Sequence, residues 1–181
     1  VRIIGGSLKG RLIEPPSGFR ARPTTDYARE SLFNILNNRF DFDEISLLDL
    51  FSGTGAISYE FASRGTEDID LVEIEARHCE FISKTLRNLK INTVKVHRLS
   101  VQTWLQVCNK SYDIIFADPP YDLAWLTDLP ALVMASKAVK ADTLFILEHP
   151  RSLNFREYPE FNEHRHYGNV NFSFFRRKQH E

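Results

Sequence analysis

The 181-residue chain has little that would staple or anchor it. Its two cysteines, Cys79 and Cys108, stand alone, without CxxC or CxxH spacing. A disulfide framework and a zinc knuckle are therefore not expected, and both residues read as ordinary thiols of a reducing compartment. No stretch approaches the roughly 18 apolar residues that a membrane span requires. The opening residues Val1-Arg2-Ile3-Ile4-Gly5-Gly6 lack the apolar run of a signal peptide, so a cytoplasmic protein that needs no metal is expected. Charge of one sign is not in excess either: 23 Lys and Arg face 24 Asp and Glu. What is present is 43% apolar residues, enough for one compact domain that buries about 70% of its unfolded surface.

An even total does not say where the charges sit. Val1–Phe40 holds seven Arg and Lys against Glu14, Asp26 and Glu30, whereas Asp41–Glu75 holds ten acidic residues and only Arg64. Arg176-Arg177-Lys178 makes the other end basic again. Two readings stay open, scattered solvated charge or a nucleic-acid-facing surface built from both ends.

Arg2–Ile4 and Arg11–Ile13, set around Gly5-Gly6 and Gly10, predict a hairpin-like arm that cannot hold a core alone. Thr25 or Asp26 caps an expected helix from about Tyr27 to Asn38. The run Ile45–Phe51, the turn Ser52-Gly53-Thr54-Gly55 and a helix closed by Gly65 make a strand, glycine turn and helix. Strands at Asp68–Val72, Val94–His97, Tyr112–Ala117 and Leu144–Leu147 alternate with helices at Ala76–Leu89, Val101–Val107 and around Leu129–Val139. Five such steps predict an α/β fold, a mostly parallel twisted sheet with helices on both faces. Asn171–Phe175 reads as an added strand, antiparallel to its neighbours.

In such sheets ligands collect at the carboxyl ends of the strands. Three segments fall there. In Asp49-Leu50-Phe51-Ser52-Gly53-Thr54-Gly55 the glycines let the backbone turn tightly and approach a ligand; a dinucleotide fingerprint would need glycine where Ser58 stands. Glu73, twenty residues beyond Gly53, is placed to accept hydrogen bonds from a ribose diol, with Glu75 as its rival. The third segment, Asp118-Pro119-Pro120-Tyr121, follows an apolar strand. Its prolines stiffen the chain, so the Asp118 carboxylate and the Pro119 carbonyl become fixed acceptors able to grip one exocyclic amine. The Tyr121 ring offers a stacking face worth about 1–3 kcal/mol to a flipped-out base.

These residues resemble the class I, Rossmann-like methyltransferases that use S-adenosylmethionine, in the branch with an Asp/Asn-Pro-Pro-Tyr motif. A fuller resemblance runs through Arg2-Ile3-Ile4-Gly5-Gly6, Lys9-Gly10-Arg11, Arg22-Pro23-Thr24-Thr25-Asp26, Arg29–Asn34, Asp49–Ala56, Ser63-Arg64-Gly65, Asp118–Tyr121, Glu148-His149 and Tyr167-Gly168. Together these look like the RsmD-type 16S rRNA guanine-N2 methyltransferases. The resemblance implies methylation of a guanine N2 amine in 16S rRNA of the small ribosomal subunit, with S-adenosylmethionine as cofactor and a monomer as the acting form. It implies an RNA-binding arm over residues 1–25 and a methyltransferase domain over 26–181. Asp118, Pro119 and Tyr121 become the catalytic residues, and Pro120, Arg11, Arg20, Arg22, Thr24 and Thr25 the substrate contacts. Asp49, Ser52, Gly53, Gly55 and Glu73 become cofactor contacts, as does Ser100, which stands where family members tend to carry an acid near the adenine amine.

The expected chemistry is direct displacement, with positioning and polarisation of the amine and no covalent enzyme intermediate. A DNA adenine-N6 or cytosine-N4 methyltransferase shares that chemistry but usually needs a separate target-recognition region, and the short arm and tail are all that is available here. Protein glutamine methylation would call for Asn at position 118. A non-catalytic RNA-binding module would have no need of intact glycine and Asp118–Tyr121 segments. His164 and His166 lack a third spaced ligand and read as surface residues, His149 as packing or touching substrate, and Trp104 and Trp125 as core or pocket wall.

Overall fold

A computed structural model describes residues 1–19 and 24–178. Arg20 and Arg22 lie outside the described residues. The first helix, α1 (Asp26–Arg39), is capped by Thr25, whose Oγ1 accepts from the Ala28 N–H at 3.1 Å. The alternation then runs β1 (Ser46–Leu50), α2 (Ala56–Ser63), β2 (Asp68–Val72), α3 (Ala76–Asn88), β3 (Val94–His97), α4 (Val101–Val107), β4 (Tyr112–Ala117), α5 (Leu129–Ala135) and β5 (Val139–His149). Two more strands, β6 (Phe161–Tyr167) and β7 (Val170–Phe175), complete one seven-stranded sheet in the order β3-β2-β1-β4-β5-β7-β6.

β1 to β5 are parallel and β7 pairs antiparallel with both β5 and β6. The central strands are apolar on both faces, so both must be covered. Leu48, Leu50, Ile115, Ala117, Phe145 and Leu147 pack towards Val101 and Leu105 of α4 and Leu129 and Val133 of α5. Leu47, Ile114, Phe116 and Ile146 pack on the other face against Ala28, Leu32 and Leu36 of α1 and Ile57 and Phe61 of α2. This two-sided packing fixes the carboxyl ends of β1, β2 and β4 side by side, where the three motif segments emerge.

Two stretches differ from the sequence expectation. The helix expected to run to about Val139 stops at Ala135, and β5 starts at Val139, well ahead of the expected Leu144. Ser136 ends the helix: its hydroxyl donates to the Val133 carbonyl at 2.7 Å and accepts from the Ala138 N–H at 3.3 Å, turning the chain straight into a strand. β6 is the second difference. Its sequence, Phe-Asn-Glu-His-Arg-His-Tyr, has no apolar alternation because it is a half-exposed edge strand, held by pairing with β7.

The N-terminal segment folds back through a single antiparallel bridge, Arg2 to Leu12. Ile3 and Ile13 are buried in a third apolar cluster with Tyr59, Leu71, Ile82 and Leu86. The wholly buried Glu60 of α2 accepts from the backbone N–H groups of Ile4 at 2.9 Å and Gly5 at 3.3 Å. Gly6 has φ 79°, and a β-carbon there would lie 2.0 Å from the Ser63 carbonyl oxygen. The root of this segment is thus clamped onto α2.

Candidate active site

A cleft of about 830 Å³ opens at the carboxyl ends of β1, β2 and β4. Asp49, Ser52, Gly53, Glu73, Ser100, Asp118, Pro119, Pro120, Tyr121 and Thr24 all line it. Gly55 does not face the cleft but closes the turn that does, its N–H donating to the Ser52 carbonyl at 2.8 Å. That turn uses left-handed backbone at Phe51 (φ 55°), Gly53 (φ 59°) and Gly55 (φ 83°). At Gly55 any β-carbon would meet the Tyr59 hydroxyl at 2.6 Å, so only glycine fits. Phe51 is the strained member, since an L side chain in this region costs about 1–3 kcal/mol. It lies against Trp125, with ring centroids 5.9 Å apart, and both rings line the cleft.

Asp49 sits at the bottom. Its Oδ2 accepts from the Ser58 hydroxyl at 2.6 Å. Burial pushes this carboxyl up to about 7, opposed by the hydrogen bonds from Ser58 and helped by the nearby Glu73 charge. Ser52 Oγ, on the same turn, is buried and has no hydrogen-bond partner among the described residues.

Glu73 holds the turn. Its two carboxylate oxygens accept from the Gly53 and Glu75 N–H groups, each at 2.9 Å, and His78 Nδ1 is 3.5 Å away. Each carboxylate oxygen offers two lone pairs, so acceptor capacity remains for a ligand. Its rival Glu75 is exposed on the rim. Ser100 caps α4: its oxygen accepts from the Thr103 N–H at 3.1 Å, and its proton goes to Thr103 Oγ1 at 2.8 Å. One lone pair remains there too.

The Asp118-Pro119-Pro120-Tyr121 segment turns after β4, and the Pro120 carbonyl accepts from the Leu123 N–H at 3.0 Å. Asp118 is half-buried, Pro119 buried and Tyr121 exposed at the cleft mouth. The structure does not bring every sequence candidate here. Arg11 is exposed on the N-terminal segment, and Thr25 spends its hydroxyl on the cap of α1; neither lines the cleft.

Known proteins share both the sequence and this architecture. The family described as Conserved hypothetical protein 95 matches residues 1–176. Ribosomal RNA small subunit methyltransferase D of Buchnera aphidicola subsp. Baizongia pistaciae is 37% identical over 154 residues, spanning 85% of this chain and 78% of that one. The protein of the same name from Escherichia coli K12 is 31% identical over 76% of this chain and 75% of its own. The chain belongs to the RsmD-type rRNA methyltransferase family. A solved structure of a hypothetical protein from Thermus thermophilus superposes on this family member with a TM-score of 0.86 at 30% identity, covering 97% of this chain and 99% of that one. The fold is that of the Rossmann-like class I methyltransferases.

Other contacts in and beside this RsmD-type cleft were not specified by the sequence. Phe19, ahead of α1, stacks on His78 of α3 with ring centroids 4.0 Å apart, and both line the cleft. Thr24 reaches Glu148, the fully buried residue next to the end of β5. His149 is also fully buried, with Nε2 2.7 Å from Ser173 Oγ and Nδ1 2.9 Å from the Pro150 carbonyl. Burial holds this imidazole below its ordinary range, and the neighbouring His164 lowers it further against the raising effect of the Pro150 carbonyl. Among the described residues no group of three or more His, Cys, Asp or Glu is placed to share a metal ion, and no helix is long and apolar enough to cross a membrane.

Proposed function

We propose that this protein transfers a methyl group from S-adenosylmethionine to the exocyclic N2 amine of a guanine in 16S rRNA of the small ribosomal subunit. The observation that carries the reading is one cleft bounded on one side by the Asp49–Gly55 turn with Glu73 and Ser100, and on the other by Asp118-Pro119-Pro120-Tyr121. The names of the family relatives support rRNA as the substrate class.

The residues fit the cofactor. Ser52 Oγ is a buried polar atom with bonding capacity to spare, Glu73 keeps acceptor capacity for a ribose diol, and Ser100 keeps one lone pair for an adenine amine. When bound, S-adenosylmethionine supplies a sulfonium-activated methyl group for direct attack by an amine nitrogen. The chain's work is positioning and polarisation. The Asp118 carboxylate and the Pro119 carbonyl accept hydrogen bonds from the two N2–H groups, which draws the nitrogen lone pair out of the ring and aims it. Tyr121 stacks on the flipped base. Asp118 or solvent takes the proton released after transfer. The basic residues Arg11, Arg20 and Arg22 contact the RNA backbone, in an arm over residues 1–25 that serves the methyltransferase domain, and the protein acts as a monomer in the cytoplasm.

The test is transfer of labelled methyl to small subunits, free 16S rRNA and DNA in parallel, with the modified base mapped. Labelled N2-methylguanine in 16S rRNA is expected, and DNA labelling alone overturns the reading. Asp118→Ala should lower turnover by at least ~100-fold while binding S-adenosylmethionine as the parent does; full activity in that variant removes Asp118 from the mechanism.

A further inference from the structure

Beside the cleft lies a second cavity of about 500 Å³, bounded by the end of β5, the loop after it and strands β6 and β7. We propose that this cavity, rimmed by Arg151, Arg156 and His166 and floored by His149 and His164, seats a backbone phosphate of the RNA strand next to the target nucleotide. The inference rests on the reading of the chain as an RNA methyltransferase.

Three observations carry it. The first is the sign of the lining. The chain has 24 Asp and Glu, yet none lines this cavity, whose charged or chargeable side chains are two arginines and three histidines. Two acids adjacent to the lining in sequence are engaged elsewhere. Glu163 bonds Arg39 at 2.6 Å and Arg165 at 3.1 Å, and Glu148 accepts from Thr24 at 3.1 Å. A third, Glu157, is exposed to solvent, and a fourth, Glu160, is half-buried with its carboxylate near Tyr158.

The second is that the floor is a built polar surface. His149 Nε2 meets Ser173 Oγ at 2.7 Å, and His164 Nε2 meets Asn171 Oδ1 at 3.1 Å. Three imidazoles invite a metal reading, but both ring nitrogens of His149 are already bonded, and no such ligand group exists among the described residues. Arginine forks suit a phosphodiester, which takes paired donors. Arg156 is steadied over the Phe161 ring, 6.0 Å from its centroid.

The third is position. Ala117 pairs with Leu147 across β4 and β5, so Asp118 and Glu148 follow at the same level and His149 comes next. Adjacent strands lie about 5 Å apart, and the second cavity therefore begins roughly one strand spacing from the Asp118 segment. A base flipped into the first cleft stays tethered to its own backbone. The flanking phosphates are therefore within reach of this rim.

Arg151 and Arg156 are both exposed, so their replacement does not open the core. The experiment compares the parent with Arg151→Ala/Arg156→Ala and with Arg151→Lys/Arg156→Lys in small-subunit binding across a salt series, subunit KM and kcat, and S-adenosylmethionine binding by calorimetry. For the alanine pair, cofactor affinity and kcat at saturating subunits should hold, KM should rise, and the slope of log affinity against log salt should flatten by about 0.7–0.9, one phosphate contact's worth. The lysine pair should keep the parental slope. An unchanged slope and KM in the alanine pair, with a parent that labels subunits normally, overturns the cavity proposal alone; so does an equal loss in the lysine pair. A parent that labels no rRNA overturns the functional reading, and the cavity proposal falls with it.

Discussion

The Thr24 hydroxyl lies 3.1 Å from Oε2 of Glu148, a hydrogen bond that spans 124 residues and ties the chain just ahead of α1 to the strand beside Asp118. Glu148 is fully buried, and Thr24 also lines the cleft. One residue therefore satisfies a buried carboxylate and forms part of the cleft wall.

Thr24→Val keeps the shape and removes the donor. The loss of a hydrogen bond to a buried charged group should cost about 1.5–3 kcal/mol, read as a lower urea midpoint with an unchanged slope. Methyl transfer should fall through the rRNA KM, with cofactor affinity held. Parental stability in this variant would show that Glu148 is satisfied without Thr24.

Asp49 sets a pH dependence of defined sign. Its carboxyl stands at about 7 in the folded chain and near 3.9 when unfolded, so between those values the folded state holds the extra proton. Stability from this group should fall as pH rises from about 4 to 7 and level off above, by something on the order of 4 kcal/mol. His149, held below its ordinary range, works in the opposite direction as pH falls through its titration. Comparing the parent with Asp49→Asn cancels the histidine, which both carry. The parent's urea midpoint should drop relative to that of the variant between pH 5 and 7 and then hold to pH 8. A pH-independent difference refutes the raised carboxyl.

Binding of a cationic cofactor favours the charged form of Asp49. S-adenosylmethionine should then release a proton below pH 7 and bind more tightly as pH rises from 5 to 8. Calorimetry in two buffers of different ionisation enthalpy reads this directly, and Asp49→Asn should abolish the buffer dependence. Equal heats in both buffers with the parent would count against it.

Gly6→Ala tests the clamp on α2. Its β-carbon would press on a backbone carbonyl at 2.0 Å from a residue with φ 79°, so both sterics and backbone strain oppose it. A loss of at least ~1–3 kcal/mol is expected, with Gly10→Ala, where a β-carbon meets nothing within 4 Å, losing less. Equal losses at the two positions would mean that strain alone matters and the clamp contributes nothing.

The parallel core and much of the cleft were legible in the sequence because their signals are local. Apolar runs ending in glycine or proline turns mark strands that reach the ligand edge, and the twenty-residue step from Gly53 to Glu73 is closed by a 2.9 Å hydrogen bond. Ser100, which the resemblance makes a cofactor contact, is also a helix cap, a duty its position before Val101 gives it. What escaped depends on distant partners. β6 is polar and exists as a strand through β7; Phe19 meets His78, and Thr24 meets Glu148, only after the sheet has formed. The early end of α5 turned on one serine hydroxyl.

The placement of β7 also makes the sheet depend on the end of the described chain. Of the seven strands it is the last to be synthesised, yet it is an interior one: Val170–Phe175 lies between β5 and β6, and its Phe172 and Phe174 complete the layer under α1 while Phe175 completes the opposite layer. Until those residues emerge, β5 has an open edge, β6 has no neighbour, and the second cavity lacks the Asn171 and Ser173 side of its wall. None of those residues lines the cleft at β1, β2 and β4, so the second cavity alone depends on the last strand for its wall.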